Sequence, residues 1–349
     1  MSSCIYVAGR PVGPGQPAYI VAELSANHNG SQERALALVR AAHEAGADAV
    51  KLQTYTPNTL TIDCDNEYFR IKGTLWDGKR LHELYAQAMT PWEWHPALQA
   101  EAQRLGLDFF STPFDDTAVD FLEGLGVPAH KVASFELVDT ALLRKVGATG
   151  KPVILSTGMA SLGEIREAVD TLHQAGCREL ALLKCTSAYP APPEEANLRT
   201  VSHMIETFSV PVGLSDHTTG IAVPVAAVAL GACIVEKHFT LDRTSGGPDA
   251  AFSLEPTEFR AMVDAVRVAE AALGAVSYEL TAKQRESIVF RRSLFVIRDI
   301  CAGEPLTPMN IGSIRPGHGL PPRMMDKVLG RKASVNILRG TPLALDLIE

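Results

Sequence analysis

No basic tract, no long apolar run and no paired cysteines occur in this chain, and each absence removes a class of function. Lys and Arg never gather into a run of the kind that tracks a phosphate backbone, and a net charge of −8 with pI near 5.7 argues against nucleic acid as a partner. No uninterrupted apolar stretch approaches the ~20 residues that span a bilayer, so no membrane partner is expected. The opening MSSCIYVAGR has no basic region followed by an apolar core, so no signal peptide is expected either. The six cysteines (Cys4, Cys64, Cys177, Cys185, Cys233, Cys301) stand far apart without a C-x-x-C pair. That is the pattern of reduced thiols in a cytoplasmic protein, not of a disulfide or zinc framework. No internal repeat or low-complexity tract is present. A G-x-G-x-x-G fingerprint is also missing after the first predicted strand, where AELSANHNG stands instead, which disfavours a doubly wound nucleotide-binding sheet.

What is present alternates. The predicted strands are AYIVAEL (from Ala18), DAVKLQT (from Asp48), LDFFST (from Leu107), AHKVAS (from Ala129), PVILST (from Pro152), LALLKCT (from Leu180), PVGLSD (from Pro211) and ACIVEKH (from Ala232). Between them SQERALALVRAAHEAGA carries apolar residues at helical spacing, and SLGEIREAVDTLHQAGC opens with a Ser-x-x-Glu capping box. Eight strands alternating with helices predict an α/β fold, a parallel (β/α)8 TIM barrel. The step from the second strand to the third is nearly twice the usual one. Its excess, Thr56 to Trp94, is rich in aromatics and charge and is expected over the C-terminal mouth, where such loops shape substrate binding. After about Ala275 the pattern becomes short strands with Gly and Pro turns. The reading is a barrel domain over 1–275, a linker over 276–290 and a small β domain over 291–349.

In such a barrel the C-terminal strand ends converge on one mouth. Here they are Glu23, Asn27 and His28; Lys51 and Gln53; Ser111 and Thr112; Lys131, Ser134 and Glu136; Ser156 and Thr157; Lys184, Thr186, Ser187 and Tyr189; Ser215, Asp216 and His217; and Glu236, Lys237 and His238. His217 and His238, from neighbouring strands, can share one divalent metal, with no third protein ligand evident; such an open site suits Lewis-acid work on a carbonyl. Lys51 and Lys131 with Ser134, Ser156 and Ser215 form a set of donors for a phosphate or carboxylate. Glu23 and Glu136 can move protons or orient a water. Together these groups suggest carbon–carbon bond formation on an anionic substrate.

The series AELSANHNG, VKLQTY, FSTPF, HKVASFE, ILSTGM, KCTSAYP, GLSDHT, EKHFT and SGGPDAAFS resembles the sialic acid synthase family, in that order and over nearly the whole chain. RPGHGLPP and LGRKA…RGTPL resemble that family's appended antifreeze-like SAF domain, a β-clip. The resemblance implies a transferase that condenses phosphoenolpyruvate with an open-chain amino sugar to a nine-carbon 2-keto acid and phosphate, using a divalent metal (Mn2+ first, Mg2+ or Co2+ as alternatives). It assigns the metal to His217 and His238, and phosphoenolpyruvate to Lys51, Thr112, Lys131, Ser134, Ser156, Ser187 and Ser215. Gln53, Tyr189 and Asp249 would face the sugar, with Glu23 and Glu136 serving the chemistry. Arg315 would reach into the partner's barrel in a domain-swapped homodimer. Two departures stand out: many relatives have Asn where Ser187 stands, and Phe135 replaces a glycine of the sialic acid members.

The long loop most resembles the pseudaminic acid branch, which acts on 2,4-diacetamido-2,4,6-trideoxy-L-altrose. Its Tyr68, Phe69, Trp76 and Trp92 are expected to cover methyl and acetamido groups. Legionaminate or N-acetylneuraminate synthesis is the same reaction on another sugar. Two other classes compete: a Schiff-base aldolase using one of Lys51, Lys131, Lys184 or Lys237, and a non-enzymatic binding protein suggested by the antifreeze-like tail.

Overall fold

All eight predicted strands form, and the last pairs with the first. The computed structural model describes residues 4–349. A short antiparallel hairpin comes first, β1 (Ile5–Val7) and β2 (Arg10–Val12). The barrel then runs through β3 (Tyr19–Glu23), β4 (Ala49–Thr54), β5 (Asp108–Pro113), β6 (His130–Val132), β7 (Val153–Ser156), β8 (Leu180–Cys185), β9 (Val212–Asp216) and β10 (Ile234–His238). Each pairs in parallel with its neighbours, and β10 closes on β3 with His238 opposite Glu23. The helices between them end where the sequence indicates: Ser161 accepts from the Glu164 amide while the Glu164 carboxylate accepts from the Ser161 amide, the predicted capping box.

The two-residue period of a strand sends alternate side chains to opposite faces, and here it divides each strand between two jobs. Outward residues such as Val50, Leu52, Leu155, Leu182 and Leu214 pack against the helix layer. The inward residues change character along the barrel axis. At the N-terminal end they are apolar: Tyr19 and Val21, Ala49, Phe110, Ala129, Ile154, Ala181 and Leu183, and Ile234. One or two inward positions further on, they become Glu23, Lys51, Thr112, Lys131, Ser156, Ser215, Glu236 and His238.

The apolar half is sealed by the N-terminal hairpin, which the sequence reading does not anticipate. Ile5, Val7 and Val12 join the interior cluster. Arg10 pairs with Asp48, and the Tyr19 hydroxyl donates to Asp108 at 2.7 Å. Apolar side chains of the hairpin thereby close one end of the barrel.

The second unit, Ala275–Glu349, has its own core of Leu294, Val296, Ile300, Leu306, Ile311, Val328, Ile337 and Leu343. β11 (Ser293–Val296) and β12 (Ile311–Ile314) pair antiparallel, and single bridges such as Ile300–Ile337 and Ala333–Ile348 complete a small β structure. Residues 282–290, within the segment read as a linker, form two short helical turns. Among the described residues, no helix is long and apolar enough to cross a membrane.

Gly213, inside β9, is forced by close approach. A Cβ there would lie 2.5 Å from the Ile234 carbonyl oxygen and 2.7 Å from a Leu183 methyl. Gly213→Ala should therefore destabilise the barrel by about 1–3 kcal/mol, read as a lower urea midpoint. Gly163→Ala, whose Cβ would meet nothing closer than 3.8 Å, should leave the midpoint unchanged or raise it.

Candidate active site

The inward register of β3, β4, β6 and β10 brings four opposite charges together below the mouth. Lys51 Nζ lies 2.6 Å from Glu23 and 3.0 Å from Glu236. Lys131 Nζ stands 4.0 Å from the same Glu236 oxygen and donates to Ser156 Oγ at 2.7 Å and to the Val132 carbonyl at 3.0 Å. Ser215 completes the set by donating to Glu236 at 3.0 Å. All of these side chains are buried. Burial alone would raise Glu236, but Lys131 and Lys51 outweigh it and hold the carboxylate down to about 2. Burial lowers Lys51 to about 8, with Glu236 opposing and Lys131 adding to the effect.

Beside this cluster the loops after β6, β7 and β8 converge on Gly158. The Gly158 amide donates to Ser134 Oγ at 3.0 Å, and a Cβ at this glycine would sit 2.3 Å from Ser187 Oγ. Glycine is required because hydroxyls crowd its Cα. Ser134, Ser156, Ser187 and the Gly158 amide thus form a pocket wall of small donors next to Lys131, a surface suited to an oxyanion. Among the described residues Thr112 Oγ1 is buried with no hydrogen-bond partner, and one carboxylate oxygen of Glu136 is in the same state. Burial raises Glu136 to about 7, against a smaller opposing effect of Lys131.

The two histidines form the third part. Their ring centroids are 5.3 Å apart. His217 Nδ1 faces the Thr186 carbonyl at 2.9 Å, and His238 Nδ1 faces Ser25 Oγ at 3.2 Å. Each ring is thereby oriented through Nδ1, so Nε2 is the nitrogen of each through which a metal would be held. Burial, then His217 and Lys51, push His238 well below the ordinary imidazole value, so it stays neutral as a ligand must. The pair fits one divalent cation. Among the described residues no group of three or more His, Cys, Asp and Glu encloses it, so the remaining positions would fall to water or substrate oxygen.

Aromatic rings wall the mouth above the histidines. Tyr189 lies 4.4 Å from His217, and Phe252 lies 4.9 Å from His238 and 5.1 Å from Tyr189. Asp249 is close by, its carboxyl raised by burial and 3.4 Å from the Ala26 amide. Gln53 sits opposite Thr112 at the rim of β4 and β5.

Other strand-end residues do not join this site. Lys237 and Asp216 form a buried ion pair with each other, and Lys237 also donates to the Thr218 carbonyl. Lys184 donates to the Cys185 carbonyl and Thr186, Thr157 to the Leu183 carbonyl, and Ser111 is bonded to Thr54, which bonds His95 of a covering helix. These positions are one residue out of phase with the inward set. Asn27 ties the Phe239 carbonyl to Ser253, and His28 packs edge-on against Trp94, so both are supports of the loop. Of the four long-loop aromatics named above, Trp92 is committed to Phe121 and the Tyr55 carbonyl, Tyr68 is exposed, and Trp76 nears the site, at 6.1 Å from Tyr189. Arg315 lies in the second unit.

Glu236 was expected at the mouth but without a role there, and Cys185, Ser25 and Gly158 were not among the expected site residues. Cys185 Sγ is 3.8 Å from both His217 Nδ1 and Ser187 Oγ, and burial, which would raise the thiol, is overcome by His217, Ser134 and Lys131, bringing it to about 7. The signal for two of them was available: Glu236 stands two residues before His238, and Cys185 two residues after inward Leu183.

Comparisons with known proteins bear on the fold and the family. Pseudaminic acid synthase of Helicobacter pylori is 46% identical over 96% of this chain and 98% of its own. N,N'-diacetyllegionaminic acid synthase of Legionella pneumophila is 36% identical over 97% of both chains. The crystal structure of N-acetylneuraminic acid synthetase from Leptospira borgpetersenii, in complex with citrate, superposes with a TM-score of 0.74 at 33% identity, covering 82% of this chain and 96% of that one. A SAF domain matches over residues 291–349. The NeuB family matches over residues 38–278, well over half of the sequence, and the chain belongs to that family of sialic acid synthases.

Proposed function

We propose that this chain condenses phosphoenolpyruvate with 2,4-diacetamido-2,4,6-trideoxy-L-altrose, giving a nine-carbon 2-keto sugar acid and phosphate, a reading supported by its 46% identity to a protein named pseudaminic acid synthase. The observation that carries the reaction type is the convergence, in one barrel mouth, of the Lys51–Glu236–Lys131 cluster, the hydroxyl wall at Gly158 and the paired histidines. The higher identity to the pseudaminic than to the legionaminic relative supports the choice of sugar.

In this reading Lys51 and Lys131 take the carboxylate and phosphate charges of phosphoenolpyruvate, with Thr112, Ser134, Ser156, Ser187 and Ser215 donating to its oxygens. Gln53, Tyr189 and Asp249 orient the sugar. His217 and His238 would hold the divalent cation, Mn2+ first, which when bound polarises the aldehyde carbonyl. C3 of phosphoenolpyruvate attacks that carbonyl carbon, and C2 becomes cationic. Glu23, locked against Lys51, is a fixed counter-charge to that cation. Glu136 is the proton carrier: its raised value lets it accept a proton from the water that adds to C2. The tetrahedral adduct then expels phosphate. Much of the rate comes from holding both reactants in attack geometry, an effect worth up to ~7–11 kcal/mol. A homodimer in which Arg315 serves the neighbouring copy, and a reducing cytoplasmic setting for six free cysteines, belong to the same proposal.

Phosphate release with phosphoenolpyruvate and Mn2+ should occur with the trideoxy-L-altrose and fall away with N-acetylmannosamine; release with none of these sugars would overturn the condensation. The pH profile of kcat/KM should rise through about 7 as Glu136 ionises. Glu136→Gln should remove that limb and cost 10²–10⁴-fold, as for loss of a general base.

Stability should move the other way. A carboxyl raised from 4.5 to about 7 favours the fold below pH 4.5, and that stabilisation is lost as pH rises through about 7. Glu136→Gln should therefore be more stable than the parent chain at pH 8, by thermal midpoint. Glu236→Gln should destabilise by about 3–5 kcal/mol, since it leaves Lys131 without its buried counter-charge and Lys51 with only Glu23.

A further inference from the structure

Trp76, on the long β4–β5 connection, approaches the aromatic wall of the mouth, and its orientation is fixed by a hydrogen bond from its indole nitrogen. Its indole N–H donates to the Pro248 carbonyl at 3.1 Å, on the loop that carries Asp249. Its ring stands 6.1 Å from Tyr189, whose own ring is 4.4 Å from His217. Outward from the histidines, the order is therefore Tyr189 and then Trp76. An open-chain sugar whose aldehyde meets His217 and His238 must extend along Tyr189, which brings its distal carbons to Trp76.

The hydrogen bond to Pro248 decides what Trp76 can do there. An indole has a single polar hydrogen and no acceptor. With that hydrogen engaged, the half-buried ring offers the substrate only apolar surface. A methyl group against it loses nothing, whereas a hydroxyl is desolvated without a partner.

We propose that Trp76 is a specificity-determining residue, forming an apolar roof over the deoxygenated C6 end of the acceptor sugar and selecting it over 6-hydroxylated analogues. This rests on the condensation reading above and names the part of the acceptor that the long connection recognises.

The test compares the trideoxy-L-altrose with its 6-hydroxy analogue, at saturating phosphoenolpyruvate and Mn2+, in the full-length chain and in Trp76→Ala and Trp76→Phe. The parent chain should prefer the methyl sugar by 10–200-fold in kcat/KM, the range that one buried group supplies. Trp76→Ala should raise KM for the methyl sugar about tenfold or more, collapse the preference towards unity and leave KM for phosphoenolpyruvate unchanged. Trp76→Phe should retain most of the preference. Equal losses on both sugars in Trp76→Ala, or a preference that survives it, would overturn the assignment while leaving the condensation intact. Absence of turnover by the parent chain with either sugar would overturn the acceptor reading itself, and this assignment with it.

Discussion

Two ammonium groups and two carboxylates share the interior of this barrel, and their mutual attraction is what permits a polar mouth on an otherwise apolar core. An isolated ion there would shift its protonation or draw in water. Lys51 between Glu23 and Glu236, with Lys131 on the far side of Glu236, spreads the charge over four strands and Ser156 and Ser215. The cluster is close to neutral as it stands. An anionic substrate arriving there finds ammonium groups already desolvated and held, and competes with carboxylates for them.

That arrangement depends on what surrounds it. The hairpin and the lower layers of Tyr19, Val21, Phe110 and Ile154 exclude solvent from below. On the outer face, Lys237 and Asp216 pair between the same two strands that carry His217 and His238, and both grip Thr218, the residue after His217. β9 and β10 thus carry a histidine of the mouth on one face and an ion pair on the other. Strand alternation gives the histidines a rigid mount: the residue preceding each is locked on the opposite side of the sheet.

The loops add selectivity to the strand framework. Gly158 draws the hydroxyls of Ser134 and Ser187 together, where any side chain would push them apart. The Thr186 carbonyl, an acceptor only, sets the tautomer of His217, and Ser25 Oγ orients the ring of His238. Ser187 and Phe135, the two departures from the family pattern, fall out differently. Ser187 is inside the hydroxyl wall, whereas Phe135 points to solvent at 58% exposure in this chain.

The apolar-to-polar runs such as PVGLSDH and ACIVEKH determined by themselves that eight strands would form, that their C-terminal ends would be polar, and which motifs placed the chain among the sialic acid synthases. Local pattern suffices for this because strand propensity, capping boxes and the change from valine to histidine are written over a few residues. Which strand-end residues face the mouth was decided only by the closed barrel. Lys237 and Glu236 are adjacent and both ionisable in the sequence, yet one pairs behind the sheet and the other binds the interior lysines, because inward and outward alternate and closure fixes the phase. The hairpin plug, the separation of Trp76 from Trp92, and the role of Gly158 were likewise settled by contacts between residues far apart in the chain. A sequence states each side chain's chemistry, but only packing states which neighbour it has.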